Sequence, residues 1–388
     1  MPVSGCPTRA LSGLALALVL TLGGCGQPPA TAPAQPGASG PTAASAAPQP
    51  PPAAAPPPAA AAAPAPVQPL DPPLAVRYGT AGLIGEAGVF DAIEKGYFRE
   101  EGVEVELVPF RVSAEMTAPL ATGEIAFGSM GLDASLFNAV ERGIPLKIVG
   151  YNAIIYTRDT SGSWMVRQDL IDSGRFKDLP DLKGMKVVIN SPGGTGSVWA
   201  ERVLAKGGLT PDDVEFTTLG FADQPAAYAN KAIDAGFLVE PFVSVAESQG
   251  TASIVLPSGQ FFLPGLPVMN LVMSPVFAQQ QPEAARRILV AYLRGQRDYH
   301  RTWVKQEGGR EEFDQILIKH TPIKEPRLFD RMATHDVDVN GAMDPTVMDQ
   351  MQDYFVRYGT LPQKVDLSKV IDGSYAEYAV TRLGRMSP

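Results

Sequence analysis

From Leu74 onward the apolar positions recur in two alternating rhythms, one of period two and one of period 3.6. Residues 74–79 (LAVRYG) read as a buried strand. Residues 85–95 place Val89, Phe90 and Ile93 on one helical face, and Gly96 ends that helix. Residues 103–108 (VEVELV) alternate apolar and polar, which predicts a strand with one wetter face. A helix over 114–122, capped by Ser113, comes next. It is followed by a short strand at 125–128, a helix over 132–142 stopped by Gly143, and a strand at 146–150. Three strand–helix–strand units in succession predict a mostly parallel, doubly wound sheet.

The pattern restarts after Tyr156. Strands are expected at 164–167 and 185–190, then a helix over 197–206 closed by Gly207 and Gly208. A strand at 214–218, a helix at 224–230 and strands at 235–239, 253–256 and 267–274 complete the alternation. Beyond that the chain is mainly helical, over 282–306, 311–319, 344–358 and 373–383. The expectation is an α/β fold with two doubly wound sheets. Two extended crossings, near 155–163 and 260–266, would act as a hinge, and the late helices would cover the open flank of the first unit. This assigns 74–158 and 267–388 to lobe 1 and 159–266 to lobe 2.

The first 70 residues break the pattern. They carry one charged side chain, Arg9, and the first acidic residue is Asp71. Residues 10–22 (ALSGLALALVLTL) form an apolar stretch shorter than the ~20 residues a membrane span needs, so they read as a signal peptide. The stretch ends in Leu22-Gly23-Gly24-Cys25, which resembles a bacterial lipobox, with cleavage after 24 and a lipid on Cys25. Residues 25–73 are dominated by Pro and Ala and offer little to bury. They predict a tether stiffened toward polyproline II, with a reach on the order of 100 Å.

The formal charge is −9, and removing the leader with Arg9 takes it to −10. No long basic run is present, so nucleic acid and acidic membrane surfaces are not expected partners. Both cysteines, Cys6 and Cys25, precede the folded region, which excludes disulfides, thiol catalysis and cysteine metal sites within it. His300, His320 and His335 match no local zinc spacing, and no metal or other cofactor is expected. There is no Gly-x-Ser-x-Gly elbow, and no histidine falls in the loops considered next, so an enzyme is not expected.

In open α/β sheets, ligands sit beyond the carboxyl ends of the strands. That selects Thr80 and Gly82, Phe110 and Arg111, Ser129 and Met130, and Asn152 in the first unit. In the second it selects the loop from Asn190 to Ser197. There the small Gly193, Gly194 and Gly196 let backbone N–H groups approach a ligand, Thr195 and Ser197 add hydroxyls, and the following helix presents its positive end. The same loop also reads as a tight turn capped by Thr195 or Ser197. It is not a phosphate-binding P-loop, because no Lys-Ser or Lys-Thr follows the glycines. Asp223 reads either as a ligand acceptor or as the cap of the helix at Gln224. Glu240, before Pro241, reads as a ligand group or a structural one. Trp164 reads as a stacking surface or as core. One base, Arg111, stands against Asp133, Asp223 and Glu240, so anion binding by several arginines has no support. The expected grip sets Gly193–Ser197 against Thr80, Ser129 and Asn152.

Several phrases in order add a resemblance. They are Glu94-Lys95-Gly96-Tyr97-Phe98 running to Val103, Ala121-Thr122-Gly123-Glu124-Ile125-Ala126, Asp181-Leu182-Lys183-Gly184, and Ala232-Ile233-Asp234-Ala235-Gly236-Phe237 followed by Glu240-Pro241-Phe242. Together, over roughly 74–380, the chain resembles the binding proteins of aliphatic sulfonate, nitrate, taurine and thiamine-precursor pyrimidine importers. The resemblance implies a two-lobed periplasmic-binding architecture of type II that closes over a small molecule. It also implies permease and ATPase partners, an extracytoplasmic location and a monomer, with the membrane reached only through the N-terminal lipid. Two alternatives share the fold: a sensor subunit, and a pyrimidine- or menaquinone-pathway enzyme. The pyrimidine synthases use histidine and cysteine chemistry, and no cysteine lies in this domain.

Overall fold

The computed structural model describes residues 68–156, 161–332 and 335–387. The predicted leader, Cys25 and nearly all of the predicted tether lie outside the described residues. Among the described residues ten strands follow in chain order: β1 Leu74–Thr80, β2 Val103–Pro109, β3 Phe127–Gly131, β4 Lys147–Ile155, β5 Gly162–Arg167, β6 Lys186–Ile189, β7 Glu215–Thr218, β8 Ala235–Val239, β9 Ala252–Pro257 and β10 Leu266–Met273. They form two five-stranded sheets with the orders β2-β1-β3-β10-β4 and β7-β6-β8-β5-β9.

The two sheets are wound alike. β1 runs parallel to β2 and β3, and β10 runs antiparallel to β3 and β4. In the second sheet β6 runs parallel to β7 and β8, and β5 runs antiparallel to β8 and β9. Each sheet is therefore parallel except for one inserted strand. That strand, β5 or β10, is the first strand the chain forms after crossing from the other sheet. Parallel pairing elsewhere follows from the helical crossovers.

Most predicted elements form, with shifted ends. Ser113 does not cap a helix. It opens a 3-10 turn, Ser113–Met116, whose preceding residue Val112 makes no side-chain cap bond. The long C-terminal helix runs Pro282–Tyr299 and then loosens into a π-helical turn, His300–Val304. Its buried stripe of Ala285, Ile288, Leu289 and Tyr292 covers the first sheet. Each large apolar side chain so buried contributes about 1.5–3 kcal/mol. Gly295 permits the close crossing with helix Ala87–Glu94, since a Cβ there would meet the Gly88 carbonyl oxygen at 2.0 Å. The short helix Phe242–Ser248 was not read from the sequence. Among the described residues, no helix is long and apolar enough to cross a membrane.

The lobes touch along several seams. Asp133 and Gly194 form an isolated antiparallel bridge between them. Arg202 donates to the Tyr354 hydroxyl at 2.8 Å, and Arg357 pairs with Glu201 at 2.8 Å. One apolar cluster continues from Met130 and Leu266 to Trp199, Phe261 and Phe262.

Candidate functional site

A cavity of about 510 Å³ lies between the two sheets. The first lobe supplies the loop after β1, Phe110 to Ser113 after β2, Ser129 and Gly131 of β3, Ala153 and Ile155 of β4, and Val268 and Met269 of β10. The second lobe supplies Asn190, Thr195 and Trp199, then Gly220 to Asp223, then Phe237, Val239, Glu240, Phe242 and Phe262. His335 completes the wall.

The loop after β1 is built around a buried carboxylate. Glu86 accepts from the Ala81 and Leu83 N–H groups, each at 3.1 Å, and from the Tyr78 hydroxyl at 2.8 Å. Burial raises its pKa to about 6, against the pull of those hydrogen bonds. Thr80 accepts from the Gly82 N–H at 3.0 Å. Thr80 and Gly82 thus shape the loop and do not line the cavity; Ala81, Leu83, Ile84 and Gly85 do.

Strand alternation sorts the next candidates. Ser129 and Gly131 line the cavity, while Met130 between them is buried in the core. Ala153 and Ile155 line it, while Asn152 is turned into the sheet, where its side-chain amide donates to the Ser129 hydroxyl. Trp164 is fully buried in the core and is not part of the wall.

The loop 190–197 serves mainly to join and turn. Gly193 has φ +70°, and a Cβ there would lie 2.0 Å from Thr360 Cγ2. Gly194 makes the bridge to Asp133. A Cβ on Gly196 would meet Asn190 Oδ1 at 2.2 Å. Ser197 accepts from the Gly193 N–H at 3.0 Å and donates to the Ser191 carbonyl at 3.4 Å. Helix Thr195–Lys206 starts at Gly194 without a side-chain cap, so neither Thr195 nor Ser197 caps it. Of residues 193–197, only Thr195 lines the cavity.

The charged candidates are each engaged. Arg111 Nη2 donates to Asp223 Oδ2 at 2.6 Å, across the mouth between the lobes. Asp223 stands at the start of helix Gln224–Ala229 but makes no side-chain cap bond, because its carboxylate has gone to Arg111. Glu240 has the structural role that the sequence offered, and it also faces the cavity. It lines the cavity, and it accepts from the Ser244 N–H at 3.1 Å and the Ser244 hydroxyl at 3.0 Å, which fixes the start of helix Phe242–Ser248. Burial pushes its pKa up to about 7. Among the described residues, no three metal-ligating side chains gather into a metal-holding group.

Asn190, which opens the loop singled out in the sequence, lines the cavity, while sequence reasoning missed Trp199, Phe221, Phe237, Phe242, Phe262, Met269 and His335. Two of these had a signal. Trp199 lies one helical turn after Thr195, on the same face. Phe237 lies two residues before Val239 on one face of β8.

A family profile described as NMT1/THI5 like matches residues 85–301, more than half of the chain. The nitrate/nitrite binding protein NrtA of Synechocystis is 30% identical over 185 residues, covering 46% of this chain and 40% of that protein. The 4-amino-5-hydroxymethyl-2-methylpyrimidine phosphate synthase of Aspergillus parasiticus is 26% identical over 173 residues, 43% of this chain and 46% of that one. The matches thus span less than half the length of these curated relatives. Among solved structures, the periplasmic nitrate-binding protein NrtA from Synechocystis superposes with a TM-score of 0.66 at 21% identity, covering 80% of this chain and 89% of that one. The fold is the type II periplasmic-binding architecture. The matched span starts at Gly85 in the first wall of the cavity and ends just beyond the long helix behind the first sheet, and by that match the chain belongs to the NMT1/THI5-like family.

Proposed function

We propose that this chain is the extracytoplasmic substrate-binding component of an ABC importer, lipid-anchored through Cys25 and acting as a monomer with permease and ATPase subunits. The observation that carries this reading is the cavity between two like-wound sheets, walled from both lobes. A ligand that touches both walls binds the closed arrangement better than an open one, and that difference drives closure about the two crossings. The binding role named for NrtA supports the reading. Of the residues expected to bind the ligand, this proposal keeps Phe110, Ser129, Thr195 and Glu240 in contact with it, and gives Thr80, Gly82, Met130, Asn152, Trp164, Gly193, Gly194, Gly196 and Ser197 the task of holding the walls.

The synthase among the relatives keeps an enzyme reading in view. Against it, the charged groups of the wall are committed to Arg111–Asp223 and Glu240–Ser244, and Ser244, the hydroxyl held by Glu240, is buried behind the wall and does not line the cavity. The test is extraction of the co-purified small molecule, its identification by mass spectrometry, and its return to the stripped protein during small-angle scattering. A more compact particle and an unchanged compound are expected. Steady conversion of the compound in proportion to protein, or no compaction on binding, would defeat the proposal.

A further inference from the structure

We propose that the cavity takes an uncharged, largely aromatic molecule of two or three rings, with one hydrogen-bond donor directed at His335 Nε2, and not a small oxyanion. This rests on the binding-protein reading above.

The wall chemistry comes first. Trp199 and Phe262 stack with ring centroids 3.9 Å apart, Phe262 and Phe237 lie 5.2 Å apart, and Phe237 meets Phe221 edge-on at 6.0 Å. These four rings make one continuous aromatic face on the second lobe, and Phe110 and Met269 line the first. Planar rings offer and receive offset or edge contacts on such a face. Size agrees: cavities of roughly 300–1,000 Å³ hold drug-sized molecules, and a four-atom oxyanion would leave most of 510 Å³ unfilled.

Charge also tells against the oxyanion. The cationic side chain of the wall, Arg111, is tied to Asp223, and Glu240 is an acid. The first turn of helix Thr195–Lys206 would attract an anion, but Asn190 Oδ1, an acceptor with no hydrogen-bond partner, sits against Gly196 in that turn. An anion here would face another electron-rich oxygen. A buried charge without a counter-charge or donors is strongly disfavoured.

A buried, unpartnered ring nitrogen in the wall can orient a ligand. His335 is 2% exposed and lines the cavity, and its Nε2 has no hydrogen-bond partner. Its ring stacks on Tyr299 at 4.5 Å, and its segment is pinned to β4 by the two-way backbone pair of Ile154 with Asp336. The Tyr299 hydroxyl donates to the His335 carbonyl at 3.1 Å and lies 3.2 Å from Nδ1. With that proton on the carbonyl, Nδ1 carries the ring proton and donates to the tyrosine oxygen, so Nε2 offers a lone pair. Burial holds the ring neutral, with its pKa down at about 3. The complementary group is a phenol-type O–H or an aromatic N–H.

The test is calorimetric titration of the ligand-stripped protein with 2-naphthol, 2-methoxynaphthalene, naphthalene-2-sulfonate and nitrate. The first three share their rings, so charge and donor are varied separately. 2-Naphthol is expected to bind one to one. It should bind about tenfold tighter than its methyl ether, which leaves Nε2 unpaired, and tighter still than the sulfonate; nitrate should give no heat. His335→Phe should bring naphthol down to its ether, and Phe262→Ala should weaken both. The ligand series needs no variant, so a misfolded one leaves the test intact. Tighter binding of the sulfonate or of nitrate overturns the proposal and leaves the binding-protein reading standing, as does equal binding of naphthol and its ether. Silence from all four overturns it too. The broader reading then falls only if no small molecule co-purifies with the protein.

Discussion

The Arg111–Asp223 pair is the sharpest place to test how the cleft closes. The two side chains come from opposite lobes, 112 residues apart, and meet at 2.6 Å. Their side chains are 76% and 47% exposed, so solvent screens most of the attraction and the pair is worth about 0.2–1 kcal/mol. That energy is present only when the lobes meet. It should therefore appear in ligand affinity and not in the melting of the ligand-free protein. At 1.4 kcal/mol per tenfold, Arg111→Ala and Asp223→Ala should each weaken 2-naphthol by up to about fivefold. The double variant should lose no more than either single one. Raising salt from 0.15 M to 1 M shortens the screening length from about 8 Å to about 3 Å, and should erode the wild-type advantage while leaving the variants unmoved. Exchange of the two residues, Arg111→Asp with Asp223→Arg, should recover most of the loss. The reasoning fails if Arg111→Ala costs tenfold or more while Asp223→Ala is neutral or improves binding. In that case the guanidinium serves the ligand, and the carboxylate merely competes for it.

Three further outcomes are expected. Gly193→Ala strains a position at φ +70° and drives a methyl into Thr360 across the lobes; the backbone term, about 1 kcal/mol, should lower the ligand-free melting temperature by about 2–4 °C, and adding Thr360→Gly should restore affinity without restoring the melt. Glu240, raised by burial from its ordinary 4.5 to about 7, holds a proton in the folded state that the unfolded chain has lost, so its stabilisation is full below pH 4.5 and disappears as pH rises through 7. Glu240→Gln should therefore gain on the wild type by about 3 kcal/mol between pH 4.5 and 8 in chemical denaturation, and a pH-independent difference would contradict the assignment. Cys25→Ser should release the protein from membranes or block its processing; unchanged membrane association would end the lipid-anchor proposal.

The strands were legible because burial on one or both faces writes itself as alternation or as an apolar run, and LAVRYG or VEVELV admits few other readings. The reversed strands were not legible. Residues 266–273 look the same whichever way they run, and only the crossing before them decides it. The loop 193–197 misled for a related reason. Its glycines were read as room for a ligand, whereas Gly193 and Gly196 make room for Thr360 and Asn190. A glycine reports that something comes close; it does not report what.

The same limit explains why the site was read as polar. Hydroxyls and charges stand out in a sequence, so Ser129, Thr195, Arg111, Asp223 and Glu240 were singled out, and all five line the cavity. An apolar side chain facing a cavity leaves the same trace as one facing the core. Trp164 and Trp199 are equally buried, at 0% and 1%, yet only Trp199 lines the cavity. The aromatic face of Trp199, Phe262, Phe237 and Phe221 is assembled from a helix, a crossing, a strand and a loop, and no window of sequence contains it. Pairing acts in the opposite direction. Arg111 and Asp223 each look like a ligand group until the fold sets one against the other, and together they remove from the wall the charge that either alone would have brought. The ligand class therefore follows from what the fold cancels and gathers, and the same polar residues on the same fold would select a different molecule if that ion pair were broken.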